Sequence, residues 1–392
     1  ERTIVNYATR SPSSGNDSNR NYTDSKDLNT TATEPLKNDM ADKTTHTIAI
    51  YPGDGIGPEV TAQAVRVLDS LETAANFRLE KTTFEWGLKY WEQHGTVVPE
   101  DFIDLLRPFD AILLGAVGWP EKVPDHVTLA PLVKIRQTFD QYACVRPSRL
   151  YPGLNSVLAG KESQDIDLVV IRENSEGEYV DNGGRMKSGK DDEVAVQTAI
   201  HTRRGVERIL RFGFTLARTR RNRLTMVTKS NAQRYGYVLW DEVLEKLAPE
   251  FPEITTDRQH CDAAVMNFVR DPAQFDVVVA SNLFGDLLTD LGGIIGGGLG
   301  LAPSTNTNPE RIYPSMFEPV HGSAPDIAGQ GIANPIAAIL SAALMLDHLQ
   351  QADAANQIRQ AIERTLAAGH KTPDLGGAMT TEEMGSCVID HL

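Results

Sequence analysis

The chain has 392 residues and a formal charge of −15 at pH 7, from 38 basic against 53 acidic side chains. That balance excludes nucleic acid and anionic membrane as the main partner, and positive charge for an anionic ligand must be gathered locally. An apolar content of 41% supplies core for two domains or one large one, and three scattered cysteines (Cys144, Cys261, Cys387) exclude a disulfide framework, predicting a reducing, cytoplasmic setting.

Residues 1–44 are rich in Ser, Asn, Thr and Asp and lack aliphatic periodicity, which predicts a disordered tail. Asp17, Asp24 and Asp27 speak against a mitochondrial transit segment there. The apolar run 48–50, closed by Pro52-Gly53, predicts a buried strand, and Pro58 opens a helix with Val60, Ala64, Val67, Leu68 and Leu71 on one face. Further buried strands are predicted at 111–114, 168–171, 224–227 and 277–280, with helices at 203–216, 237–247 and 336–349 between or after them. Strands alternating with helices predict an α/β protein with a largely parallel sheet. The most apolar stretch, 332–346, is too short to span a bilayer and reads as a buried helix.

Gly53-Asp54-Gly55-Ile56-Gly57 follows a strand and precedes a helix, but its G-x-G-x-G spacing is not the dinucleotide fingerprint, and a tight turn is the favoured reading. Arg136 and Arg146 flank the aromatic-containing stretch Phe139 to Tyr142, and Arg172 closes the predicted strand 168–171. Together at one cleft they would clamp a carboxylate, whereas singly each would be a surface or ion-pair residue. The basic run 218–223 reads as a solvated helix-to-strand connection. Asp286 and Asp290 stand i, i+4 on a helix that begins at a strand's carboxyl end, so their carboxylates share a face. Either they are a solvated acidic face or they hold Mg²⁺ or Mn²⁺ with a third oxygen donor, for which Asp262 is the candidate. The loop from His321 through Gly329 is polar and turn-rich, able to receive a phosphate or adenosine on its backbone N–H groups.

Taken together, these segments resemble the β-decarboxylating dehydrogenases, the family of isocitrate, 3-isopropylmalate and D-malate/tartrate dehydrogenases. The landmarks are IAIYPGDGIGPEV (48–60), LLGAVG (113–118), KIRQTFDQYACVRP (134–147), IRENSEGEY (171–179), TKSN (228–231), NLFGDLLTD (282–290), HGSAPDIAGQGIANP (321–335) and PDLGG (373–377). The segment Val123 to Leu129 followed by Phe139-Asp140-Gln141-Tyr142 looks like the D-malate/tartrate branch.

The resemblance implies a two-domain α/β fold with a mixed central sheet, distinct from the Rossmann type. Residues 45–141 plus 297–392 would form the large cofactor-binding domain, and 142–296 the small domain with the dimer interface. It implies a homodimer whose partner subunit lends Lys229 and Asp262 to each site. Arg136, Arg146 and Arg172 would bind the dicarboxylate, and Asp262, Asp286 and Asp290 the Mg²⁺ or Mn²⁺. Lys229 would take the C2 hydroxyl proton and Tyr179 would protonate the enol carbon. His321, Gly322, Ser323, Ala324, Asp326, Ile327 and Asn334 would receive NAD, the Asp326 carboxylate favouring a free 2′-OH over a 2′-phosphate. Ala130-Pro131 in place of Trp-Gly and Cys144 in place of Asn depart from the D-malate/tartrate pattern, and the lost Trp leaves room beside the substrate's C3 substituent. A 3-isopropylmalate dehydrogenase is therefore the alternative, with Leu129, Leu132 and Val133 as an apolar wall. A non-catalytic regulatory subunit is the weaker rival, because no base, acid or metal ligand is missing.

Overall fold

A computed structural model describes residues 43–392 apart from Ala75. The expected disordered tail falls on residues 1–42, outside the described residues, while Thr44 already opens the first strand. The first half of the chain gives β1 (Thr44–Gly53), α1 (Gly57–Ala74), β2 (Phe77–Thr83), α2 (Leu88–His94), α3 (Phe102–Leu106), β3 (Ala111–Ala116), α4 (Asp125–Thr138), β4 (Ala143–Arg149), β5 (Asp167–Glu173), β6 (Gly183–Met186) and β7 (Val194–Gln197). The second half gives α5 (Arg203–Arg218), β8 (Arg223–Thr228), α6 (Gly236–Leu247), β9 (Thr255–His260), α7 (Cys261–Arg270), β10 (Val277–Ala280), α8 (Asn282–Ile295), β11 (Pro303–Thr307), β12 (Ser315–Pro319), α9 (Ile336–His348), α10 (Ala352–Ala367) and α11 (Thr381–Asp390).

Ten strands form one sheet in the order β2-β1-β3-β12-β11-β4-β5-β10-β8-β9, and β6 pairs with β7 as a separate ribbon. Pairing is parallel toward both ends but antiparallel at β12–β11, β11–β4 and β4–β5, so the sheet is mixed. Strands covered on both faces read as unbroken apolar runs, as in AILLGA of β3 and VVVA of β10, every residue of which is buried. Strand β11 departs furthest from this: its sequence PSTNT carries no aliphatic side chain beyond its proline, yet it is wholly buried. Its side chains are satisfied internally, with Asn306 Nδ2 donating to Glu318 (2.7 Å) and the Thr305 and Thr307 hydroxyls 2.6 Å apart. Apolar periodicity could not announce such a strand.

The run 332–346 does yield a buried helix: all thirteen residues of α9 are buried, against β11, β12, α1 and α10. Among the described residues no helix is long and apolar enough to cross a membrane.

Helix α8 is seated on the middle of the sheet by small residues. In β4, Cys144, Arg146 and Ser148 alternate onto one face, and Cys144 pairs directly with Arg172 of β5. Helix α8 lies against that face: a Cβ on Gly285 would stand 2.6 Å from the Arg172 Cβ, and one on Gly292 would strike the Ser148 hydroxyl. The close approach lets α8 residues meet the β4 and β5 arginines side on.

In the basic run 218–223, Arg218, Arg221 and Arg223 are exposed as expected, and Arg220 departs from expectation. Arg220 is buried and its guanidinium donates to Asp276 (2.7 Å) and Asp167 (2.8 Å), while the Arg221 amide donates to Asp276 (2.8 Å). Asp276 is itself fully buried just before β10, so Arg220 answers an interior carboxylate rather than solvent.

Candidate active site

Three arginines from three elements converge. Arg172, at the end of β5, donates through Nε (2.9 Å) and Nη2 (2.7 Å) to the Asn282 side-chain oxygen, and Asn282 Nδ2 donates to the Glu176 carbonyl (3.0 Å). With that edge of its fork occupied, Nη1 turns to Asp286 on α8. Arg146 of β4 reaches the same carboxylate (3.3 Å), with Nε on the Ser304 hydroxyl (3.2 Å) and Nη1 on that of Thr289 (2.7 Å). Arg136, in the last turn of α4, donates to Glu318 of β12 (2.9 Å), and its buried Nε has no partner among the described residues. The Tyr179 hydroxyl donates to the second Asp286 oxygen (2.8 Å), and the Arg172 guanidinium lies 5.1 Å from the Tyr179 ring centre.

These neighbours set the acid–base state of the site. Burial raises the Asp286 carboxyl, but Arg172 and Arg146 outweigh it and hold the group below the usual carboxylate range. One turn on, Asp290 is raised by burial and by the Asp286 charge. Tyr179 is pushed up to about 12 by burial and by its bond to Asp286, so it is fully protonated at neutral pH. Burial and the adjacent Arg146 push Arg172 below the ordinary arginine value, and it remains a cation.

Lys229 and Asp262 do not join this cluster. Lys229 Nζ lies 2.8 Å from Asp262 Oδ1 in the same chain, and the Asp262 side chain is 65% exposed. Among the described residues no three acidic, histidine or cysteine side chains come together to hold a metal ion.

The loop after β12 rests on the turn after β1. The Ile56 amide donates to the Ser323 carbonyl (2.8 Å), and the Ser323 hydroxyl donates to the Gly118 carbonyl. The buried Asp54 carboxylate accepts the amides of Gly118 (2.8 Å) and Leu88 (2.6 Å). Gly55 has φ +59°, and any Cβ there would collide with the Ser323 carbonyl, so glycine is required for the contact. The G-x-G-x-G segment is thus a tight turn that also seats the 321–329 loop. Within the loop, His321 Nδ1 lies 2.9 Å from the Gly322 carbonyl, while its buried Nε2 has no partner among the described residues. Ala324 adopts φ 40°, Gly322 and Asp326 are exposed, and Ile327 packs on the core. Asn334 donates to Asp374 (3.0 Å).

Sequence reasoning does not single out Asn282, Glu318, Thr289, Ser304 or Asp54. Asn282 opens the NLFGDLLTD segment, and its position at the start of the helix bearing Asp286 is the one available signal. The others act on partners 34 or more residues away, or through a polar strand with no pattern to mark it.

The isocitrate/isopropylmalate dehydrogenase family model matches residues 47–388. The chain is 50% identical over 349 residues to D-malate dehydrogenase [decarboxylating] of Escherichia coli (strain K12), covering 87% of this chain and 97% of that protein. It is 49% identical over 354 residues to tartrate dehydrogenase/decarboxylase of Pseudomonas putida, covering 88% and 97%. The crystal structure of isocitrate dehydrogenase from Methylococcus capsulatus superposes with a TM-score of 0.79 at 35% identity, covering 88% of this chain and 99% of that one. With a mixed ten-stranded sheet, an arginine cluster facing two aspartates one turn apart, and a match over almost the whole described chain, this chain belongs to the isocitrate/isopropylmalate dehydrogenase family.

Proposed function

We propose that the chain catalyses NAD- and divalent-metal-dependent oxidative decarboxylation of a small 2-hydroxy dicarboxylate of the D-malate/tartrate type. The observation that carries the reading is the meeting of Arg136, Arg146 and Arg172 with Asp286, Asp290 and Tyr179, in a chain half identical to a D-malate dehydrogenase. The guanidiniums bind and orient the carboxylate that departs through the N–H groups their protein partners leave free.

The donor set fits a hard cation. Asp286 and Asp290 offer oxygens only, and a bound cation would relieve the repulsion that, after burial, raises Asp290. Asp262, exposed, would complete the set from a partner subunit. The 321–334 loop fits NAD: the orphaned His321 Nε2 lacks a partner that a bound adenosine would supply, and Asp326 suits a free ribose 2′-OH. When bound, the cation supplies a Lewis acid to the C2 oxygen and NAD accepts the hydride. Lys229 accepts the C2 hydroxyl proton, and protonated Tyr179 delivers one to C3 after carbon dioxide leaves.

We infer a homodimer. Val265, Met266 and Val269 of α7 and Leu287 and Ile294 of α8 are exposed, and every residue of the β6–β7 ribbon is exposed, with Met186, Val194 and Val196 among them. A second copy of this chain covering these helices would bring its Lys229 and Asp262 toward Asp286. We also propose the two-domain division at 141/142 and 296/297. It is supported by the sheet order, in which β4, β5, β10, β8 and β9 all come from the inner segment.

One observation favours 3-isopropylmalate as the second reading: Leu129 and Ala130 on α4 are exposed. Leu132 does not contribute to such a wall, being buried in the core beside Ile135 and Phe139. Initial rates of NADH formation on D-malate, the tartrate isomers, 3-isopropylmalate and isocitrate with Mn²⁺ decide between them. D-malate or tartrate turnover that a chelator abolishes and Asp286→Asn lacks is expected. Turnover of 3-isopropylmalate alone overturns the substrate assignment.

A further inference from the structure

A polar network of buried and half-buried groups lies beside Tyr179, apart from the groups assigned above to carboxylate, cation and cofactor. Its centre is the Glu178 carboxylate. One oxygen, Oε1, accepts the hydroxyl protons of Tyr237 and of Ser281, the latter at 3.0 Å. The other, Oε2, accepts the Leu283 amide at 3.0 Å. Tyr237 and Ser281 are both fully buried, and their hydroxyls are 2.7 Å apart. Those two hydroxyls carry two protons for three contacts, and an ionised Glu178 can accept both. The Tyr237 ring is fixed in turn, stacked on Phe284 of α8 at 5.0 Å and set against His201 at 5.3 Å. The Trp240 indole N–H donates to His201 Nδ1 (3.1 Å), which makes that nitrogen an acceptor.

The position of these contacts gives them meaning. Ser281 is the N-cap of α8, but its side chain makes no capping bond. The acceptor for the Leu283 amide comes instead from Glu178, 105 residues earlier in the chain. A carboxylate at a helix N-terminus satisfies an amide the helix cannot and opposes the positive end of its dipole. Asn282 adds a second tie, donating to the Glu176 carbonyl at 3.0 Å. The turn at 176–178 is therefore pinned at two points to the first turn of α8. Tyr179 is the next residue, and its hydroxyl meets Asp286 one turn along the same helix at 2.8 Å.

We propose that Glu178 is a positioning residue: by fastening its turn to the N-terminus of α8, it sets where the Tyr179 hydroxyl stands and so governs the final proton transfer to C3. The proposal rests on the reading of Tyr179 as the acid. It assigns Glu178 no contact with substrate and no proton of its own. Loosening it moves one hydroxyl relative to a carbon it must reach, and misplacement of a donor by about 1 Å costs as much as 100-fold in that step.

The test separates the steps. Tyr179 acts in exchange of the methyl protons of pyruvate, the D-malate product, with D₂O, followed by NMR with Mg²⁺ and reduced cofactor. Reduction of oxaloacetate by NADH needs the arginines and Lys229 but not Tyr179. In Glu178→Gln the amide nitrogen replaces an acceptor, so methyl exchange falls about 10-fold while oxaloacetate reduction and KM for NADH stay within about threefold. Hydrogen exchange at the Leu283 amide, which reads the anchor without any catalysis, rises roughly 10-fold. Wild-type methyl exchange in Glu178→Gln overturns the proposal, and so does an equal loss in both reactions accompanied by a lowered Tm. If Glu178→Gln does not fold, the double variant Tyr237→Phe/Ser281→Ala strips both donors from Oε1. It should slow methyl exchange selectively, and an unchanged rate overturns the positioning role. Tyr179→Phe keeps the two ideas apart. Should it retain methyl exchange, the acid assignment fails; should it lose exchange while Glu178→Gln keeps it, the positioning role alone fails.

Discussion

Asn282 illustrates how little of a side chain's importance is visible from its type. An uncharged amide, it takes two N–H bonds from Arg172 and so aims the third nitrogen of that guanidinium at Asp286. Asn282→Ala leaves two donors of a buried cation unpaired, and steady-state kinetics should show KM for the dicarboxylate up about 10-fold with a smaller change in kcat. The charged residues, by contrast, are legible in the sequence. The i, i+4 spacing puts Asp286 and Asp290 on one face, and Arg136 and Arg146 about an aromatic stretch with Arg172 closing a strand suggest a carboxylate clamp. Their amide and hydroxyl partners are not legible, because Asn282 meets Arg172 across 110 residues and Ser304 meets Arg146 across 158. Arg220 reads as solvated for the same reason: its carboxylates, Asp167 and Asp276, lie 53 and 56 residues off.

Element by element, apolar strands and helices can be read directly, since burial on both faces leaves an aliphatic run. Strand β11 cannot, because its burial is sustained by side-chain hydrogen bonds rather than by apolar atoms. Helix α8 depends on what it lacks. Gly285→Ala puts a methyl 2.6 Å from the Arg172 Cβ, so the helix must lift. Thermal denaturation should register a loss of about 1–3 kcal/mol, with weakened substrate binding. Helix α9 makes a pH prediction. His348 in its last turn is 4% exposed and pushed down to about 3 by burial and by Arg311. The folded chain therefore keeps it neutral while the unfolded chain takes up a proton near pH 6.5. Its contribution is whole above pH 6.5 and declines by about 1.4 kcal/mol per pH unit as pH falls toward 3. Urea midpoints between pH 7 and 5 should fall more steeply for the wild type than for His348→Gln.

For the whole molecule, Lys229 and Asp262 sit together but away from Asp286, an arrangement that a site shared between two subunits would use. Lys229→Ala and Asp286→Asn are each expected to be inactive. Unfolding and refolding them together should restore about a quarter of wild-type sites if the partner supplies Lys229, because random pairing makes half the dimers mixed and half of their sites intact. No recovery would place the whole site within one chain. The seam between β11 and β4 has its own consequence. Cys144 lies on it, fully buried, its sulfur 3.5 Å from the Ser304 hydroxyl and unbridged, whereas Cys261 and Cys387 are partly exposed. A thiol reagent should therefore reach Cys144 only when the strands part, later than the partly exposed Cys387. The lag before the Cys144 adduct, followed by mass spectrometry with and without dicarboxylate, is a built-in stopwatch for how often this protein opens along its middle.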